Sequence, residues 1–253
     1  MKLFRSRQFL LGTAVTLLAA PLLFLFSPMT REIDRAALNI QYRLRGESRV
    51  DSSVVILYFD NDAIASLGGW PLKRSYYALL VDAMHQLGAA AIGFDIAFDQ
   101  PGREYPEYDD LFASMTKRAG NVVFGGYFQI LDGDTLSAPM SSADSLPDRF
   151  TFGTCGPYKI RTGRNITKPI PSLLDAAAGF GHSNLTADGD IPLLVRLKSG
   201  RYALSFAEAV LLAALRNRGV RPESPELVPS FAGPLRVPGR PNGDISIDFR
   251  GGV

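Results

Sequence analysis

Four aspartates carry the spacing that invites chemistry. Asp60 follows directly on the apolar run VVILYF (54–59), Asp95 follows directly on AAAIGF (89–94), and Asp62 and Asp99 stand just beyond. In an open α/β sheet, ligands bind outside the carboxyl ends of the strands. Neighbouring strand ends lie about 4.8 Å apart, and carboxylates that close repel unless a cation, a donor or a proton intervenes. Lys73 and Arg74 are near enough in sequence to supply the cation, and Arg74 can grip a carboxylate with two parallel bonds. Trp70 follows Gly68-Gly69, where the backbone can turn closely, and offers an apolar wall. Asp60, Asp62, Trp70, Arg74, Asp95 and Asp99 are therefore the candidate ligand-binding residues. The competing reading of the same aspartates is helix capping and internal salt bridging.

No catalytic residue is assigned. The G-x-S-x-G, H-E-x-x-H, G-x-x-x-x-G-K-[ST] and G-x-G-x-x-G patterns are absent. His85 falls on the polar face of its helix, and His182, in GFGHSN, reads as a loop residue. Asn184, Asp188 and Asp190 offer oxygen ligands but lack the calcium-loop spacing, so turn capping is the expectation. The single cysteine, Cys155, excludes an intramolecular disulfide and a cysteine metal cluster. No metal site and no cofactor are expected. The formal charge of +2 and the scattered Lys and Arg residues argue against a nucleic-acid partner.

The elements that must position the aspartates follow from periodicity. Val54–Phe59 is rich in β-branched residues and reads as a buried parallel strand. Asp60 or Asp62 can cap a helical turn that Gly68-Gly69 ends. Arg74–Leu87 puts Tyr77, Leu80, Val81, Met84 and Leu87 on one stripe, and Gly88 is a natural stop. Ala89–Phe94 is a second buried strand, completing a βαβ unit. Glu107–Ala119 reads as a helix stopped by Gly120, and Val122–Phe128 as a third strand. Residues 133–169 are rich in Ser, Pro, Gly and Asp and read as an excursion with short strands at best. Pro171–Ala178 is a short helix, Leu193–Leu197 and Arg201–Leu204 form a hairpin about Lys198-Ser199-Gly200, and Ser205–Arg218 is a buried helix. A Pro/Gly-rich connection leads to a last strand, Ile245–Phe249. The fold class expected is α/β, a mostly parallel open sheet with helical crossovers, preceded by one transmembrane helix.

That helix is the run Phe9–Phe26, which carries no charged residue. It is near the length of about 20 residues that spans a bilayer core. Lys2, Arg5 and Arg7 precede it, which places the N-terminus in the cytoplasm. No small-x-small cleavage pattern follows, so an anchor is expected rather than a cleaved signal peptide. In Arg31–Arg45, Ile33, Ala36, Ala37, Ile40 and Leu44 line one face of a juxtamembrane helix. That stripe would dock on the domain's own core or on a second copy of the chain.

From Val54 to Gly251 the chain resembles the CHASE2 family of extracytoplasmic sensory domains in bacterial receptors. The resemblance rests on an ordered series: YFDNDAIASLGGWPLKR (58–74), LGAAAIGFDIAFDQP (87–101), DDLFASM, NVVFGGYF, PSLLDAAAGFGHSN, ADGDIPLLVRL and DISIDFRG (244–251). Leu72 stands where the family has a second aromatic near the Trp-Pro. Family members also continue with another strand, further membrane helices and an output domain, so a C-terminally truncated form is expected here. Hydropathy, charge and the resemblance together give four parts: a cytoplasmic N-terminus (1–8), a transmembrane helix (9–28), a juxtamembrane helix (29–50) and an extracytoplasmic sensory domain (51–253). The single uncharged run gives a single-pass inner-membrane anchor, and the resemblance implies a periplasmic domain that binds an unknown stimulus, a small molecule or another, and relays it. This chain is then not itself an enzyme, while a missing output domain would be a cyclase or kinase. The alternative is a membrane-anchored periplasmic hydrolase using the Asp cluster and a metal.

Overall fold

The computed structural model describes residues 7–25, 37, 40–41, 44–45, 52–102, 105–131, 145–153, 160–186, 189–219 and 244–245. They belong to two compact units, residues 1–57 with 248–253, and residues 58–247.

In the first unit, α1 runs from Arg7 to Leu25 with Pro21 inside it. Its hydroxyls are satisfied within the helix, Thr13 donating to the Phe9 carbonyl and Thr16 to that of Gly12. Leu11, Val15, Leu17 and Leu18 are all exposed. Among the described residues no helix is long and apolar enough to cross a membrane. Of the predicted juxtamembrane helix, Ala37, Ile40, Gln41, Leu44 and Arg45 are helical, and the rest lies outside the described residues.

The run Val54–Phe59, expected as a buried strand, is not one. It has no regular structure, and Val54 to Tyr58 are 51 to 85% exposed. Composition marked these side chains as needing cover, but a strand also needs a neighbour. Among the described residues none pairs with it.

In the second unit, Asp60 does cap a turn of helix, α2 (Asn61–Ser66), by accepting from the Ala63 amide. α3 (Arg74–Gln86) ends before Gly88, whose φ of +79° suits a glycine stop. β1 (Ile92–Phe94) is shorter than expected. The Ala89 carbonyl ahead of it accepts from the Asn121 side chain rather than from a strand. α4 (Glu107–Ala119) has acids in its first turn and Lys117 and Arg118 in its last, matching the helix dipole. β2 (Val122–Leu131) outruns its expected end.

The predicted excursion holds β3 (Thr151–Phe152) and β4 (Thr162–Thr167). After it come α5 (Pro171–Ala176), β5 (Gly179–His182), β6 (Ile191–Pro192), β7 (Leu194–Arg196) and β8 (Tyr202–Leu204). The expected hairpin is β7–β8, turning at Gly200. α6 (Phe206–Asn217) opens with a capping box between Ser205 and Glu208. β9 is Asp244–Ile245, and the rest of its predicted strand lies outside the described residues.

The sheet is mixed rather than mostly parallel. β1 and β5 flank the first half of β2 and run parallel to it. The second half of β2 pairs antiparallel with β4, and the path continues through β7 and β8 to β3. The length of β2 is the cause: its first half completes the helical crossovers, and its second half meets the chain returning from the excursion.

The parallel part is covered on both faces, which is why its sequence is continuously apolar. Phe124 packs with Tyr77, Phe94, Phe98 and Phe112 beneath α3 and α4. Val123, pointing the other way, packs with Ala209 and Ala213 of α6. Burying each such ring stabilises the fold by roughly 1.5–3 kcal/mol.

Candidate functional site

The six predicted residues are not drawn into one hydrogen-bonded cluster. Asp60 is occupied as a helix cap. Asp62 is an exposed first-turn acid of α2, and Asp99 is exposed in the loop after β1. Trp70 is 57% exposed and precedes a cis proline, Pro71.

Arg74, expected to neutralise the four aspartates, is paired elsewhere. Its Nε lies 3.1 Å from Oδ1 of Asp109, and it donates at 2.9 Å to the Gln100 carbonyl. The guanidinium sits 4.4 Å above the Phe98 ring. The second Asp109 oxygen accepts from the Gly102 amide at 2.6 Å. One buried carboxylate thus ties the start of α3, the start of α4 and the loop after β1 into a knot. Beside it Lys73 lies 5.0 Å over the Tyr105 ring, which stacks on Tyr108.

Asp95 stands where the strand argument put it, immediately after β1. Its partner is new: the Ser183 hydroxyl donates to Asp95 Oδ1 at 2.5 Å. Ser183 follows β5 directly, and its amide donates to the Gly126 carbonyl of β2. The Asp95–Ser183 bond therefore bridges the exits of β1 and β5 across β2. Gly125 lies under it, since a Cβ there would stand 3.2 Å from Asp95 Oδ1 and 3.1 Å from the Phe94 carbonyl oxygen. Next along β2, Tyr127 is exposed at the surface. Partial burial and, after it, the Asp95 charge raise its phenol above the ordinary value.

His182 is not a loop residue. It closes β5, is fully buried, and its ring meets Phe128 edge-on at 5.7 Å. Burial lowers its pKa to about 3, so it is neutral, and Nε2 has no partner among the described residues. Across the bridge from His182 to Ser205, Glu208 is also buried. Burial outweighs its bonds from the Ser205 hydroxyl and amide and raises its carboxyl to about 8. Among the described residues no three His, Cys, Asp or Glu side chains gather into a metal site.

A family model, the CHASE2 domain, matches residues 14–252 of the chain. The chain belongs to the CHASE2 family. No curated protein and no solved structure matches it at a significant level. CHASE2 domains are extracytoplasmic and sensory rather than catalytic, which gives this chain a sensory role. The residues of the Asp95 bridge fall in family segments, Asp95 in 87–101 and Ser183 in PSLLDAAAGFGHSN. Ser183, Tyr127 and Asp109 were missed from sequence. The signal for Ser183 was present in its place just after an apolar GFG stretch, but GFGHSN reads equally as a turn.

Proposed function

We propose that this CHASE2 chain is the sensory input of a bacterial transmembrane receptor, anchored by α1 with its N-terminus in the cytoplasm. The observation that carries the reading is the family match over residues 14–252. In support of the anchor stand the uncharged run within α1, its exposed leucines and the basic residues ahead of it. A second copy would pair through the juxtamembrane stripe, where Ile40 and Leu44 are exposed at helical spacing.

The stimulus would act at the carboxyl edge of the parallel strands, centred on Asp95, with Asp99 and Trp70 at its margin. Asp60 and Asp62 would take part only through the α2 turn, and Arg74 by holding the loop after β1. The test is topological. Alkaline phosphatase fused after residue 219 should be active in intact cells, and a reporter that works only in the cytoplasm should be silent there. The reverse pattern would falsify the sensory reading.

A further inference from the structure

We propose that the row of Asp95 at the exit of β1, Tyr127 and Gln129 on β2 and Asn165 on β4 is a binding site for a neutral, polyhydroxylated ligand of mono- or disaccharide size. This deepens the sensory reading and rests on it for the purpose of binding, though not for the binding itself.

The row follows from register and alternation. Gly93 and Gly181 both face α6, because a Cβ on either would meet Phe206. Asp95 and Ser183 lie two residues further along those strands, past the first residue of α6. Tyr127 and Gln129 flank the buried Phe128 and are both exposed, so they share the open face about 7 Å apart. Asn165 on β4 joins them, its Nδ2 donating to Gln129 Oε1 at 2.6 Å. It has a φ of +47° beside an irregularity in the β2–β4 pairing, the kind of kink that re-aims a side chain.

The free valences then define the chemistry. Asp95 keeps Oδ2 and Asn165 keeps Oδ1 as acceptors, Gln129 keeps Nε2 as a donor, and the Tyr127 hydroxyl can do either. None of these atoms has another partner among the described residues. A ligand that matches must offer donors and acceptors side by side, as adjacent hydroxyls do. Hydroxyls donating to the Asp95 carboxylate form the stronger, charge-assisted bonds. The Tyr127 ring offers a flat apolar surface to the C–H face of a sugar. Gly125 leaves the floor beside Asp95 as bare backbone. An anion is opposed by Asp95. An ammonium ion can donate to Asp95, Asn165 Oδ1 and the Tyr127 hydroxyl but, having no acceptor, leaves the Gln129 Nε2 donor unmatched.

The experiment uses the full chain in detergent. Glucose, galactose, N-acetylglucosamine and cellobiose are titrated, with ethanolamine and inorganic phosphate alongside. Binding is followed calorimetrically and by the fluorescence of Trp70, the single tryptophan. The expected result is saturable millimolar or tighter binding of at least one sugar, weakened about tenfold in both Asp95→Asn and Tyr127→Phe. Gln129→Ala, at an exposed position, should weaken it similarly with an unchanged urea midpoint. Binding by ethanolamine or phosphate alone, no sugar binding at all, or sugar binding unchanged in the three variants would each overturn the proposal. Those outcomes leave the topology fusions untouched, so loss of the ligand class and loss of the sensory reading are told apart.

Discussion

The Arg74–Asp109 ion pair, 3.1 Å between Nε and Oδ1, ties the starts of α3 and α4 together. An arginine beside a Trp-Pro segment and four aspartates invites pairing with those aspartates. The carboxylate that reaches it is instead 35 residues on, in the first turn of α4. Both side chains are largely buried, so removing one strands the other. Asp109→Ala should lower stability by about 3 kcal/mol. Asp109→Asn, which still accepts from Gly102 but loses the charge, should cost less. Urea midpoints for the two variants test the order. If Asp109→Ala matches the parent chain, the knot holds nothing. Gly181 gives a second test at this scale. A Cβ there would stand 2.6 Å from both the Phe206 Cα and the Ser205 carbonyl oxygen. Both are backbone and cannot swing aside, so Gly181→Ala should cost about 1–3 kcal/mol through overpacking.

The junction of β5 with α6 places two buried titratable side chains on either side of one backbone bridge, and their shifts oppose. Glu208 titrates near 8 folded against an ordinary 4.5. The native state therefore holds a proton that the unfolded chain has lost, and stability falls as pH rises from about 4.5 to 8. His182 titrates near 3 folded against an ordinary 6.5. The unfolded chain then binds the extra proton, and stability falls as pH drops from about 6.5 to 3. Between 4.5 and 6.5 the two slopes are equal and opposite, so these groups together give a plateau with a falling limb on each side. Glu208→Gln keeps the acceptor for Ser205 and should abolish the alkaline limb, while the plateau gives way to the uncancelled His182 slope and the acid limb extends up to about pH 6.5. A parent chain whose urea midpoint is constant from pH 6.5 to 8 would remove this account of Glu208. Neither group was legible from sequence, because burial, not residue type, sets both shifts. The helices were legible, since their stripes and stops are local: Gly88, Gly120 and Ser205 each do what their residue type implies. The sheet was legible near β1 and β2 and at the β7–β8 hairpin, where the pairing is local. The turn of β2 from parallel to antiparallel pairing depends on β4, whose Thr162 to Thr167 pair with Tyr127 to Leu131 from across the excursion. The place of Asp95 after β1 was legible because a strand exit is a local feature. Ser183 was not, because its value lies in what it reaches across Gly125.

At the scale of the whole chain, the proposed anchor is tested by what covers α1. Its 19 residues would rise about 28 Å at 1.5 Å per residue, close to the thickness of a bilayer core of about 30 Å. Leu17 and Leu18 are 68% and 72% exposed, and apolar side chains lie around the helix rather than along one stripe. A helix that is apolar on all sides needs either lipid or a protein core around it. Under the proposed anchor that cover is lipid, with Lys2, Arg5 and Arg7 ahead of the run on the cytoplasmic side. The expected outcome is that the full chain stays in the membrane fraction through an alkaline carbonate wash and leaves it only with detergent. Leu17→Arg with Leu18→Asp sets two charges near the middle of the helix, each costing about 2.5–3.5 kcal/mol on insertion scales. That variant should appear largely in the wash. The second unit, residues 58–247, contains none of α1, so its urea midpoint should not move in the variant. A parent chain released by carbonate would leave α1 without lipid and return its leucines to a protein partner.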